Sequence, residues 1–185
     1  FRSFEMPYHH RMNSLQHLLM RTMAVMFWKK PYTSPLIDWG FMLKDKYRLP
    51  VFLYEDLVSI VRDLNDNGFP FSLDWFNPFL ENRFPLYGLC QIDETQIELR
   101  MALEAWNVLG EEMFMSGTAR AVDAAVERLQ VKLTHFNPER YTLLCNGRPV
   151  PLQPTGATGV FAAGVRFKAW SPPRTLHPSL PHVST

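Results

Sequence analysis

Glu98, Arg100 and Glu104 have even spacing, so on an extended chain they project from one side while Ile97, Leu99, Met101 and Leu103 occupy the other. A second run repeats the pattern: Arg128, Gln130 and Lys132 alternate with Leu129, Val131 and Leu133, and Glu127 stands at the start of the apolar side. If the two runs are strands of one sheet, their polar sides line a common groove of carboxylates and cations. Hard carboxylate oxygens hold Mg²⁺, and Arg or Lys binds phosphate or a substrate carboxylate, so such a floor suits nucleotide-dependent ligation. An antiparallel sheet with one solvated face and charges paired across its strands has the same sequence pattern.

Other candidate groups are more scattered. The opening segment holds Arg2, Glu5 and Met6-Pro7, then an adjacent His9-His10 pair and Arg11. Neighbouring residues of a strand point to opposite sides, and no third ligand has suitable spacing, so zinc is not expected; nor is haem. His17 falls on a helix flank, His135 at a strand end, and His177 and His182 in a Pro-rich tail. None makes a constellation with Cys90 or Cys145, which argues against cysteine-protease or transglutaminase chemistry within this segment. Both cysteines fall in strand-like runs and are expected to be buried thiols without a disulfide, in a reducing, cytoplasmic setting. There is no GxGxxG, GxxxxGK[ST] or CxxC motif. Gly110-Glu111-Glu112 has the composition of a loop, which could set two carboxylates beside Glu104 or be a solvated turn.

The elements that must position these groups change period midway. From Arg11 to Lys30 the residues Met12, Leu15, Leu19, Met23 and Met26 recur three or four apart, and Pro31 ends the run, predicting a helix. Pro50 to Asn67 predicts another, with Pro in the first turn, Leu53, Leu57, Ile60, Val61 and Leu64 on one face, and Gly68 as the stop. Between them Ile37 to Tyr47 suits a short helix opened by Asp38, and Ser72 could cap a turn through Phe76. After Pro85 the period becomes two. Leu86 to Ile92, a turn at Asp93 to Gln96, and Ile97 to Leu103 predict a hairpin; Val126 to Leu133 predicts a strand. Tyr141 to Cys145 and Arg148 to Leu152 flank Asn146-Gly147, a pair suited to the positive φ angles of a type I′ turn. A turn at Pro154 to Gly159 and a strand from Val160 to Trp170 follow, and from Ser171 the chain is Pro-rich. Residues 8 to 80 are thus expected to be mainly helical and 84 to 170 mainly antiparallel β, an α+β fold. Leu57, Ile60, Val61, Leu64, Leu99, Met101, Leu129 and Val131 are its expected core.

Composition bounds what this architecture can do. With 46% hydrophobic and 20% charged residues over 185 positions, the chain can bury one sizeable core or two small ones. Nineteen Lys and Arg balance 18 Asp and Glu, which excludes a strongly basic nucleic-acid glove. The excess of cations is confined to residues 133 to 185, with five basic against one acidic. No apolar run reaches the roughly 18 residues that span a bilayer, since Leu18 to Trp28 is broken by Arg21. The opening Phe1-Arg2-Ser3-Phe4, without an initiator Met, looks cut from something longer.

Several segments resemble a known family: Arg2-Ser-Phe-Glu-Met-Pro with His9 to Met12, Arg83-Phe-Pro-Leu-Tyr-Gly88, Ile97-Glu-Leu-Arg100 with Ala102-Leu-Glu-Ala-Trp106, Val108-Leu-Gly-Glu-Glu112, Val126-Glu-Arg-Leu-Gln-Val-Lys132, Asn137-Pro-Glu-Arg-Tyr141 and Cys145-Asn-Gly-Arg148. They are similar to the amidoligase domain assigned to large bacterial transglutaminase-like proteins, and the similarity runs through nearly the whole chain. Ala105 departs from the Pro of that pattern. The resemblance implies a segment of a much longer chain, distantly glutamine synthetase-like, in which a curved antiparallel sheet binds ATP and a divalent metal through Glu and Arg. It implies an acyl-phosphate reaction between a peptide or amino-acid carboxylate and an amine donor, with other domains of the same chain as partners, and no activity expected of the excised segment. Glu5, Glu98 and Glu104 would then be the catalytic and magnesium-binding carboxylates. Arg100, Arg128 and Lys132 would face the nucleotide.

The domain boundaries expected are 1–118 for the helices and first hairpin, 119–170 for a second antiparallel region, and 171–185 for the tail. The competing reading is a non-catalytic β-rich scaffold that binds a peptide or another domain. Convergence of Glu5, Glu98, Glu104 and Arg128 in one groove favours the enzyme, and dispersal over separate faces favours the scaffold.

Overall fold

The computed structural model describes residues 4–105, 107–114, 117–123 and 125–168; the expected Pro-rich tail lies outside them. Helix α1 (His10–Lys29) starts where the His9 Nδ1 accepts the Arg11 N–H, and it buries Met12, Leu15, Thr22 and Met26. The short helix α2 (Met42–Asp45) covers only part of the expected Ile37 to Tyr47 stretch. Asp38 Oδ1 instead accepts the Gly40 N–H at 2.9 Å, and Gly40 has a φ of 50°, so the chain turns before it can coil. Helix α3 (Pro50–Asp66) begins on Pro, as expected. It closes at Gly68, whose φ of 83° lets the Phe69 N–H return to the Leu64 carbonyl.

A single 3₁₀ turn, Leu73–Phe76, leads into α4 (Asn77–Arg83). Ser72 precedes that turn but makes no side-chain cap; its carbonyl accepts the Trp75 N–H. Leu15 and Met26 of α1, Val61 and Leu64 of α3, and Phe71 and Phe76 form the first core cluster.

The strands are β1 (Leu86–Ile92), β2 (Thr95–Ala102), β3 (Asn107–Phe114), β4 (Gly117–Asp123), β5 (Val126–Thr134), β6 (Leu144–Cys145), β7 (Arg148–Pro149), β8 (Gln153–Pro154) and β9 (Phe161–Lys168). Five of them form one antiparallel sheet in the order β1-β2-β5-β9-β8, so the fold is α+β with helices first. The segment around Gly110 is not a loop: β3 and β4 make a separate two-stranded ribbon. The Asn146-Gly147 turn forms with φ of 51° and 75°, but its strands are only two residues each. The Val150 N–H adds one more bond, to the Leu143 carbonyl at 3.0 Å.

Register sorts the sheet into two unlike faces. Ile97, Leu133 and Phe161 stand abreast, as do Leu99, Val131 and Ala163, and then Met101, Leu129 and Val165. Phe136, Tyr141, Leu143 and Leu152 cover this apolar side. The opposite side carries the rows Glu98, Lys132, Ala162; Arg100, Gln130, Gly164; and Ala102, Arg128, Arg166. It is not a solvated face. Leu49 and Phe52, each 1% exposed, pack with Ala102 and Ala162, so the helices roof the polar side.

Of the expected core residues, Val61, Leu64 and Val131 are buried, and Leu57, Ile60, Leu99, Met101 and Leu129 are half-buried. Cys90 and Cys145 are unpaired and exposed, contrary to the expectation of buried thiols, because each lies on a strand with an open side: β1 at the sheet edge, β6 in a two-stranded hairpin. Among the described residues no helix is long and apolar enough to cross a membrane.

Candidate functional site

A polar strand face under helices must find partners for its donors and acceptors, and the helix ends supply them. Gln130, 1% exposed, accepts the Val51 N–H of the first turn of α3 at 2.8 Å. Arg128, 3% exposed, donates from Nη1 to the Lys44 and Asp45 carbonyls at the end of α2, at 3.2 and 3.3 Å. Arg100 donates from Nη1 to the Phe84 carbonyl, just past the end of α4, at 3.0 Å, and to Glu81 Oε1 at 3.0 Å, while its Nε reaches Glu98 Oε1 at 3.0 Å. Three adjacent side chains of two strands thus fix three helices.

Beyond the end of β2 the Leu103 N–H donates to the Arg48 carbonyl at 3.1 Å, which carries Glu104 over the edge of the sheet. There Glu104 Oε2 accepts from Arg128 Nε at 2.7 Å and from Arg166 Nε at 3.0 Å. Asp45 completes a four-membered network, its Oδ1 accepting from Arg166 Nη2 at 3.3 Å and lying 3.9 Å from Arg128 Nη2. The Glu104 and Arg128 side chains are nearly buried, at 9% and 4% exposed, while Arg166 and Asp45 are more than half exposed. The network is neutral and graded from dry to wet.

This network borders a cleft of about 1220 Å³. Lys44, Arg48, Arg83 and Arg166 line it, facing Asp45, Glu104 and Glu127. Among the described residues, the side chains of Lys44 and Arg48 have no hydrogen-bond or ion-pair partner. Two uncommitted cations beside a neutral four-membered network can hold a carboxylate or phosphate.

The family model described as "Putative amidoligase enzyme (DUF2126)" matches residues 1–185. The chain belongs to this family. No curated protein and no solved structure matches it.

The chain distributes the six residues nominated from the sequence over three places. Glu104 lines the cleft, and Arg128 lies behind it within the network. Glu98 and Arg100 pair with each other farther along β2, with Lys132 opposite Glu98 across β5. Glu5 lies apart, 3.7 Å from Arg83. Its three nominated carboxylates are therefore engaged by different arginines, and among the described residues no three His, Cys, Asp or Glu side chains group as a metal site. These residues do not by themselves assemble a magnesium cage.

The same register shows what the sequence pattern left unnamed. Arg166 has the strand parity opposite Val165 on β9, which places it on the Arg128 side. That parity was available in the sequence. Asp45 and Arg48 carried no such signal, since their position depends on where residues 44–49 cross the sheet.

Proposed function

We propose that the chain is part of an ATP-dependent amidoligase domain, which joins a peptide or amino-acid carboxylate to an amine through an acyl phosphate, and that the cleft beside Glu104 receives the anionic groups of that reaction. In the second step the C–N bond forms as the bond from the acyl carbon to phosphate breaks; the amine gives up a proton and phosphate leaves. Charge then develops on the leaving oxygens, where fixed cations are most effective. The observation that carries this reading is the pair of uncommitted cations, Lys44 and Arg48, on a cleft where four cations, with Arg83 and Arg166, meet three carboxylates, Asp45, Glu104 and Glu127. The family description supports the reaction class. The glutamine synthetase-like relation and the transglutaminase-like setting belong to the same proposal.

A non-catalytic scaffold is favoured by a different observation: Arg100, Gln130 and Arg128 are already used to hold helix ends. Calorimetric titration of Mg–ATP into the intact protein separates the two. Binding by wild type that weakens about tenfold or more in Arg48→Ala supports the ligase; absence of binding, or equal binding by both, supports the scaffold.

A further inference from the structure

On the other side of Arg83 from the charged cleft is a second cavity, of about 330 Å³, walled by Met12, Leu53, Leu57, Phe76, Phe79 and Leu80. Asn82 and Arg83 line both cavities, so the two are contiguous at the end of α4. We infer that this apolar pocket is the amine-donor subsite and takes a zwitterionic amino acid with a large apolar side chain. The inference rests on the ligase reading above and names one of its substrates.

Three features of a free amino acid need three complements, and the pocket has each. The wall is aliphatic and aromatic, which accommodates a side chain of the leucine or phenylalanine class, and the volume is in the small-ligand range. The Arg83 guanidinium is a fork suited to an α-carboxylate, and the Glu5 carboxylate is a counter-charge for an α-ammonium. Glu5 Oε2 and Arg83 Nη1 face each other at 3.7 Å, well beyond the roughly 2.7–2.9 Å of a charge-assisted hydrogen bond. Their side chains are 80% and 56% exposed, so both charges stand at the wet rim while the pocket behind them is apolar. Opposite charges that meet without a direct hydrogen bond can each accept a ligand's charge with little to give up.

The placement is also stiff where it must be. Arg83 is the last residue of α4, and the next carbonyl, that of Phe84, is held by Arg100. A donor held here has its α-carboxylate on Arg83, at the wall shared with the charged cleft, and its amino group on Glu5, 3.7 Å from that guanidinium, which keeps the amine within a side chain's length of an activated carboxylate in the cleft.

The test is calorimetric titration of the intact protein with L-phenylalanine and L-leucine, against phenylalaninamide, 3-phenylpropionate and glycine, each of which lacks one of the three features. Saturable binding of phenylalanine or leucine, weaker by tenfold or more for every comparator and lost to a similar extent in Glu5→Gln, is the expected result. No saturable binding of either amino acid, unchanged binding in Glu5→Gln, or equal binding of 3-phenylpropionate overturns it. Glu5 is outside the charged cleft, so Mg–ATP titration of the same variant keeps the two readings apart. Nucleotide binding without amino-acid binding removes the subsite alone; Glu5-dependent amino-acid binding without nucleotide binding keeps the subsite and removes the ligase.

Discussion

Gly164 and Arg128 are so close on the sheet that a methyl group placed on Gly164 would lie 2.8 Å from Arg128 Cδ and 3.1 Å from Leu49 Cδ2. Arg128 cannot retreat, because its guanidinium is held by Glu104 and by two carbonyls of α2. Gly164→Ala should therefore destabilise the fold by about 1–3 kcal/mol through overpacking. Urea unfolding measures it, and an unchanged midpoint would mean that the arginine has room the structure does not show.

The two carboxylates of β2 and its extension should differ in weight. Glu104 accepts from two arginines and is nearly buried, so Glu104→Gln should cost about 1.5–3 kcal/mol. Glu98 is 21% exposed, and its partner Arg100 keeps Glu81 and the Phe84 carbonyl, so Glu98→Gln should cost about 1 kcal/mol or less. Denaturation curves giving the reverse order would contradict the assignment of Glu104 as the hub.

Gln130→Leu replaces a buried acceptor with an apolar side chain of similar size and strands the Val51 N–H. The expected cost is about 1–3 kcal/mol, with the first turn of α3 the first to loosen. Amide hydrogen exchange at Val51 reads this directly; protection equal to wild type would show that the contact is dispensable.

Alkaline stability should depend on Tyr141. Its hydroxyl donates to Asp93 Oδ2 at 2.8 Å, and this bond, with desolvation and the Asp93 charge adding to it, holds the phenol above the ordinary value of about 10. A folded value above the unfolded one gives stability that is whole below the ordinary value and is lost as pH rises through the raised one. Tyr141→Phe should flatten that alkaline loss. Tyr47, raised chiefly by burial and then by Asp56 and Glu55, retains its own share, so some loss persists. Thermal melts at increasing pH on both proteins provide the comparison, and parallel curves would exclude the Tyr141 contribution.

The sheet was legible because period-two alternation is a local property. Ile97, Leu99 and Met101 share a side whatever lies above it, and β2, β5 and β9 form close to where the pattern places them. Which side meets water is not local. Arg128 and Gln130 have the composition of a wet face, yet they are buried, because the ends of α2 and α3 bring the carbonyls and N–H groups that satisfy them. The β3–β4 ribbon was illegible for another reason. Gly110 and the acidic pair after it suggest a turn, and their strand state comes from pairing with residues 117–123.

For the candidate site, Glu104 and Arg128 were nominated by strand spacing together with the family motifs, and the structure brings their side chains together at 2.7 Å. Asp45, Arg48 and Arg83 were not, since they reach the cleft from the ends of α2 and α4 and from the turn between α2 and α3, whose approach to the sheet no residue pattern encodes.

The contacts that seat the helix ends join residues far apart in the chain: Val51 with Gln130 across 79 positions, and Lys44 with Arg128 across 84. During synthesis α3 and α4 therefore precede their anchors, and α2 has nothing to dock on until β5 has emerged and paired with β2. The cleft draws its walls from residues 41–48, 82–83, 101–105, 126–127 and 166. A nascent chain stopped before Val126 has Lys44, Arg48 and Glu104 but neither Arg128 nor Arg166, so the network that borders the cleft closes only once β9 is in place.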